Sequence, residues 1–273
     1  MDVGDNGLDE GQQAAFVDAY QVSASKNVPS PYASLPNNRL GHGASSGGTG
    51  DPVAMNRYYV ETGPDLYKSG YQRMVGGSTW AWRGNTPRFL PNDFRLKTQY
   101  GVAVDWPLTY DQLESHYAAA EVELGVSGNG DQWTGLTLRS SDFPMPGIAA
   151  GYGDELVRTA LKDIAPIDGT PVTVLTTPQA RNSQGYQGRS ACQGNSSCIP
   201  ICPSGAKAGH PVGTMRMGTD RSTSVVDANG PSHAHPNLWI VGNAVFPTGS
   251  TANPTLTCAA LSLRTADALA AAL

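Results

Sequence analysis

The chain has no apolar run approaching the roughly 20 residues that cross a bilayer as a helix, so no membrane span is expected. Charge is sparse as well, at 15% of residues, and the formal net charge of −5 leaves no basic footprint for a nucleic acid. The N-terminal MDVGDNGLDEGQQ is acidic and polar and does not read as a signal peptide. No internal repeat is visible. A dinucleotide fingerprint is also missing: the glycine-rich stretch from Gly41 to Gly50 fails G-x-G-x-x-G at Ser46, no strand precedes it, and Asp51-Pro52 cannot open the required helix. It reads instead as a flexible surface loop.

What the chain has in quantity is glycine, 32 residues, and proline, 20, which indicate many turns. Its 273 residues can bury a substantial core, in one large domain or two smaller ones. The first 55 or so are expected to be mostly loop. Within them, Phe16, Val17 and Tyr20 could share a helical face over Gln12–Ser23. A helix is predicted from Tyr110 to about Leu124, capped by Thr109 or Asp111, with Leu113, Tyr117, Ala120 and Leu124 on one face. Residues 127–148 read as a Gly/Asp/Pro loop, Asp154–Ile164 as a short helix, and Val172–Leu175 as a strand.

The densest pattern lies in the last third. Leu238-Trp239-Ile240-Val241 is a short apolar run bounded by Pro236-Asn237 and Gly242-Asn243, which suits a buried strand. Asn253 as N-cap and Pro254 at the first helical position then open a helix, whose Leu256, Ala260, Leu263 and Ala266 recur at helical spacing. A strand, a Gly/Ser/Thr loop and a helix N-terminus aimed at the loop make one supersecondary unit. His233 and His235, near a turn, are expected to face solvent, and Cys258, one turn into the helix, to be a buried small hydrophobe.

Three further cysteines, Cys192, Cys198 and Cys202, lie close together, and Pro203 follows the last. Thiolates so spaced suit an iron–sulfur cluster. A disulfide would leave one of the three unpaired, and zinc would need a fourth ligand from elsewhere.

The C-terminal residues resemble the signature of the GMC (glucose-methanol-choline) flavoprotein oxidoreductases. The resemblance is carried by His210 before Gly213-Thr214-Met215-Arg216-Met217-Gly218, by Val225-Val226-Asp227, by the run to Gly242-Asn243, and by Asn253. It implies an FAD enzyme oxidising CH–OH groups of an alcohol or sugar. His210 would be the base and Asn253 its partner, with Gly242, Asn243, Pro254 and Thr255 bordering the flavin. The residue types agree, since a neutral imidazole has the right pKa to take a hydroxyl proton. Alone, a histidine in a Gly-rich loop is more often a surface or hydrogen-bonding residue than a base, and Asn253 would stand where it does for capping.

Within Val75-Gly76-Gly77-Ser78-Thr79-Trp80, the residues Gly76, Gly77, Ser78 and Thr79 look like the family's flavin-contacting segment, although an ordinary Gly-Gly turn has the same form. Trp82 follows where many GMC oxidases have Asn, which is similar to the large FAD subunits of bacterial membrane-associated glucose, fructose and gluconate-type dehydrogenases. In those subunits the C-x5-C-x3-C-P pattern carries a three-iron (3Fe-4S) cluster. A small chaperone-like subunit and a cytochrome c subunit are the partners so implied, with export to the periplasm through the former.

The expected fold is therefore α/β, an incomplete, loop-rich, GMC-type FAD/NAD(P)-binding domain without the N-terminal Rossmann βαβ unit or the substrate domain. Its parts would be a loop-rich segment over 1–66, a partial FAD-binding region with the Cys-rich loop over 67–207, and a C-terminal region completing the flavin site over 208–273. The junction at Lys207-Ala208 reads as an internal deletion, a truncated gene reading or a deliberately shortened chain. Lacking the pyrophosphate fingerprint, such a chain is expected to hold FAD weakly or not at all. The alternative expectation is a non-catalytic remnant, or an iron–sulfur or interaction fragment.

Overall fold

The computed structural model describes residues 82, 84–167, 169, 172–189, 191 and 212–273. The chain divides into two compact units, Gly84–Cys192 with Pro211–Leu273, and Met1–Arg83 with Gln193–His210. Of the second, only Trp82 is among the described residues. The helix predicted over Gln12–Ser23 and the glycine-rich stretch at 41–50 lie outside them.

The first unit begins with a 3-10 turn, Pro91–Arg95, that continues into the short helix α1 (Leu96–Tyr100). Helix α2 spans Tyr110–Leu124, the range its sequence predicts. Thr109 caps it reciprocally: its Oγ accepts the Gln112 N–H at 3.3 Å, and the Gln112 side chain accepts the Thr109 N–H at 2.8 Å. Gly125 ends it at φ 65°, and Val126 N–H reaches back to Glu121 O at 2.9 Å. The predicted face is buried, with Leu113, Tyr117 and Ala120 inside and Leu124 half-buried against them.

That face packs on the last helix, α4 (Thr255–Ala272). Leu256, Ala260 and Leu261 are buried there, each large apolar side chain contributing about 1.5–3 kcal/mol. The Tyr117 hydroxyl meets Thr257 Oγ at 2.7 Å, which satisfies both buried hydroxyls. Ala266, expected on the inner face, is exposed, because Leu261 and Thr265 turn inward in its place. Phe89, Phe94, Trp106 and Phe246 complete the core as an aromatic cluster, with centroids 4.9 Å apart for Phe94–Trp106 and 5.2 Å for Trp106–Phe246.

Strand pairing is slight. β1 (Ser127–Gly128) and β2 (Met145–Pro146) form a parallel two-stranded sheet inside the stretch expected to be loop. Helix α3 spans Tyr152–Leu161, ending before the predicted Ile164. The described residues of 172–175 form no strand. Nor is Leu238–Val241 the buried strand its composition suggests. It makes one bridge, Pro231 to Trp239, and Leu238 and Val241 are 48% and 51% exposed. A parallel-sheet strand is buried by neighbours on both sides, whereas this run makes backbone bonds with Gly230, Ser232 and His235. Among the described residues, no helix is long and apolar enough to cross a membrane.

Candidate active site

The segment opening with Gly213-Thr214 runs alongside a 3-10 turn at Asn243–Val245. Gly213 N–H donates to Asn243 O at 3.1 Å, Met215 N–H to Ala244 O at 2.8 Å, and Met217 N–H to Val245 O at 2.9 Å. Val225-Val226-Asp227 forms the next layer, through Gly218 N–H to Val226 O and Val225 N–H to Arg216 O, both 2.9 Å. Three motifs distant in sequence therefore meet in one layered structure.

Gly242 leads into the turn at φ 99°, ψ −173°, a region open essentially to glycine alone. Nothing lies within 4 Å of the point where its Cβ would stand. Directly after it, Asn243 Oδ1 is buried and has no hydrogen-bond partner, an arrangement that costs about 1–3 kcal/mol unless a ligand or water supplies a donor. The backbone N–H of Asn243 reaches the Cys258 thiol in the first turn of α4. Burial pushes that thiol up, against the bonds from Ser262 and Asn243. Cys258 is half-buried, in keeping with an inert small hydrophobe.

The start of α4 differs from expectation by one residue. Pro254, at φ −77° and ψ −11°, is the N-cap, and its carbonyl accepts the Cys258 N–H at 2.8 Å. The fixed proline φ already lies in the helical range, so its carbonyl becomes the first acceptor of the ladder. Asn253 stands just ahead of the cap, not at it. Gly242, Asn243, Asn253, Pro254 and Thr255 are the predicted site residues within the described part. Gly76, Gly77, Ser78, Thr79, Cys192, Cys198, Cys202 and His210 lie outside it.

Two constellations escaped the sequence reading. Arg88, 3% exposed, donates from Nε and Nη2 to the two Glu121 carboxylate oxygens at 2.9 and 3.0 Å, and from Nη1 to Glu114 and to the Tyr110 hydroxyl at 3.0 Å each. Arg139 holds Glu121 from the other side at 3.0 and 2.5 Å. Burial pulls the Arg88 guanidinium down, but its bond and charge interaction with Glu121 outweigh that and hold it above its ordinary value. Every charge is matched, and the cluster is structural. The available signal was Glu114 and Glu121, seven residues apart on the side of α2 that also carries Tyr117.

His233, expected in solvent, is half-buried. Its Nε2 lies 2.9 Å from Ser224 Oγ and 3.2 Å from Gly218 O. A carbonyl only accepts, so Nε2 carries the proton, while Ser224 donates to Asp220 O at 2.6 Å. This is not a base activating a serine. Among the described residues, no group of three or more His, Cys, Asp or Glu could hold a metal ion.

Comparison with known proteins bears on the same C-terminal segment. Residues 156–262 match the family model described as GMC oxidoreductase. The chain is 44% identical over 154 residues to the fructose dehydrogenase large subunit of Gluconobacter japonicus, covering 55% of this chain and 27% of that protein. It is 32% identical to the 6'''-hydroxyparomomycin C oxidase of Streptomyces lividus over 55% of this chain and 30% of the oxidase. For the paromamine 6'-oxidase of Streptomyces fradiae the figures are 31% identity, 61% and 34%. The matched part thus spans about a third or less of each of these relatives. Through residues 156–262, which hold Gly242, Asn243, Asn253 and the start of α4, the chain resembles the GMC oxidoreductases.

Proposed function

We propose that the chain serves an FAD-dependent oxidoreductase acting on CH–OH groups of an alcohol or sugar. The observation that carries this reading is the unpartnered, buried Asn243 Oδ1, set behind Gly242 and beside the first turn of α4, within the region matched to the GMC oxidoreductases. An acceptor without a donor suits the imide N–H of an isoalloxazine ring, and the open space at Gly242 suits close approach of a flat ring. Gly242, Asn243, Asn253, Pro254 and Thr255 would border the flavin, and Gly76, Gly77, Ser78 and Thr79 are proposed as further flavin contacts. FAD, when bound, supplies the hydride acceptor.

The chain's own groups supply the rest. His210 takes the hydroxyl proton of the substrate, and Asn253 binds the substrate oxygen. The N-terminus of α4, 18 residues long, favours negative charge in front of it. Cys192, Cys198 and Cys202 are proposed to hold a 3Fe-4S cluster that passes electrons to an external acceptor. The relative named a fructose dehydrogenase large subunit supports a sugar substrate and a further subunit; a small chaperone-like subunit and a cytochrome c subunit are the partners proposed. His210→Ala should leave FAD affinity unchanged while substrate no longer bleaches the flavin; equal bleaching by the variant removes His210 from this role. Iron and labile sulfide, measured after anaerobic reconstitution, should be lost in each Cys→Ser variant at 192, 198 or 202 and kept in Cys258→Ser.

A second reading has one observation in its favour. Leu238 and Val241, apolar and about half exposed, leave apolar surface uncovered as in a non-catalytic fragment with little FAD binding. Circular dichroism and sizing separate the two: a compact species with a cooperative melt supports the enzyme, and aggregation supports the fragment.

A further inference from the structure

Asn253 is delivered by a stretch with no regular secondary structure, Pro247 to Ala252. Such Gly/Ser/Thr segments belong to the low-stability end of a fold unless tied down. This one is tied at alternate residues. Trp106 Nε1 donates to Thr248 Oγ at 2.7 Å, and Ser250 Oγ donates to Asp93 Oδ2 at 2.8 Å. Gly249 and Thr251 between and after them are exposed, while Ala252 packs against the core. The segment therefore presents one side to the aromatic cluster at period two. Ser250 does a second task, since its Oγ also accepts the Ala252 N–H at 3.1 Å and so sets the backbone next to Asn253.

Both anchors stand on rigid ground. Trp106 is 1% exposed, with its ring 4.9 Å from Phe94 and 5.2 Å from Phe246. Its indole N–H needs an acceptor inside the protein, and Thr248 is that acceptor. Asp93 is the neighbour of Phe94 in the 3-10 turn, and the same Oδ2 that receives Ser250 receives the Leu90 N–H at 2.7 Å. The anchors lie 142 and 157 residues away in sequence from the groups they hold, so a local turn propensity does not account for them.

We propose that Trp106 and Asp93, acting through Thr248 and Ser250, are positioning residues for Asn253. This rests on the oxidoreductase reading for the role of Asn253, and on the geometry alone for the anchoring. Placement matters to that role because a misplacement of about 1 Å can cost on the order of a hundredfold in rate.

The test uses the full chain with Thr248→Val, Thr248→Ser and Ser250→Ala, followed by hydrogen–deuterium exchange and FAD titration. Thr248→Val removes one hydrogen bond and Ser250→Ala two, and each should raise exchange of peptides covering 247–256 by about fivefold or more. Protection in α2 should not change. FAD affinity should fall by a similar factor with an altered visible spectrum, and Thr248→Ser, which keeps the hydroxyl, should restore both. Unchanged exchange in 247–256, or loss of protection throughout α2 as well, overturns the anchoring. Raised exchange with wild-type FAD affinity and spectrum overturns the positioning role. A wild-type chain that gives no saturable FAD signal sinks the oxidoreductase reading, while the exchange comparison still decides whether these residues hold the segment.

Discussion

Helices α2 and α3 invert the usual relation between pattern and burial. α3 has the more strongly amphipathic sequence, yet Leu156 and Val157 are about half exposed and Tyr152 is 82% exposed. α2 has the weaker pattern, yet Leu113 and Tyr117 are fully buried. The reason is visible in its charges. Glu114 and Glu121 sit on the inner side of α2 because Arg88 and Arg139 meet them there, and two carboxylates on the inner side erase the apolar stripe. Burial follows from what an element packs against, and a paired charge can be as deep as a leucine.

The largest expected effect comes from breaking that pairing. Glu121→Ala leaves Arg88 buried with its main partner gone and should cost about 3–5 kcal/mol, read from urea denaturation. A loss under 1 kcal/mol would mean that the cluster is not what holds α2 in place. Next is truncation within each helix. Leu113→Ala should cost about 2–5 kcal/mol, whereas Leu156→Ala in α3 should stay within about 0.5 kcal/mol. Similar losses at both sites would show that α3 is covered in solution and would end the contrast.

At the helix starts the contrast is milder. Thr109→Ala removes a reciprocal cap and should cost about 1 kcal/mol. Asp154, which accepts the Gly151 N–H at 2.8 Å at the exposed end of α3, should cost less when replaced by Ala, by the same denaturation series.

The smallest effect is one of pH. Burial pushes the Glu114 carboxyl up, but hydrogen bonds from Ser140 and Arg88, with the Arg88 charge, hold it below its ordinary value. A depressed carboxyl lends stability that is full above its unfolded pKa and lost as pH falls through the lower folded value. Glu114→Gln should therefore flatten the acid side of the stability curve and leave its slope above neutral pH unchanged. An unaltered acid limb would contradict this assignment.

How much was legible follows from the same residues. The extent of α2 was readable because Thr109 is a local start signal and Leu113, Tyr117, Ala120 and Leu124 keep one helical face. The start of α4 was readable to within one residue, the error arising at Pro254, whose fixed φ made it the cap. Arg88 was not readable, since its partners lie 26 and 33 residues away and no local rule joins them. Leu238–Val241 has strand composition, but composition does not state whether neighbouring strands are present to bury it. Within the candidate site, Gly242 and Asn243 were legible only through family resemblance. That Asn243 lacks a partner is a property of packing.

FAD titration of the full chain and of Asn243→Leu, a substitution of similar volume without the acceptor, tests the central claim most directly. The account predicts a saturable, weak change in flavin fluorescence and visible spectrum for the wild-type chain. It predicts that Asn243→Leu, with an unchanged melt, binds at least about tenfold more weakly, the cost of one lost hydrogen bond in a buried site. A wild-type chain with no saturable flavin signal, or an Asn243→Leu variant that binds FAD as the wild type does, would contradict it.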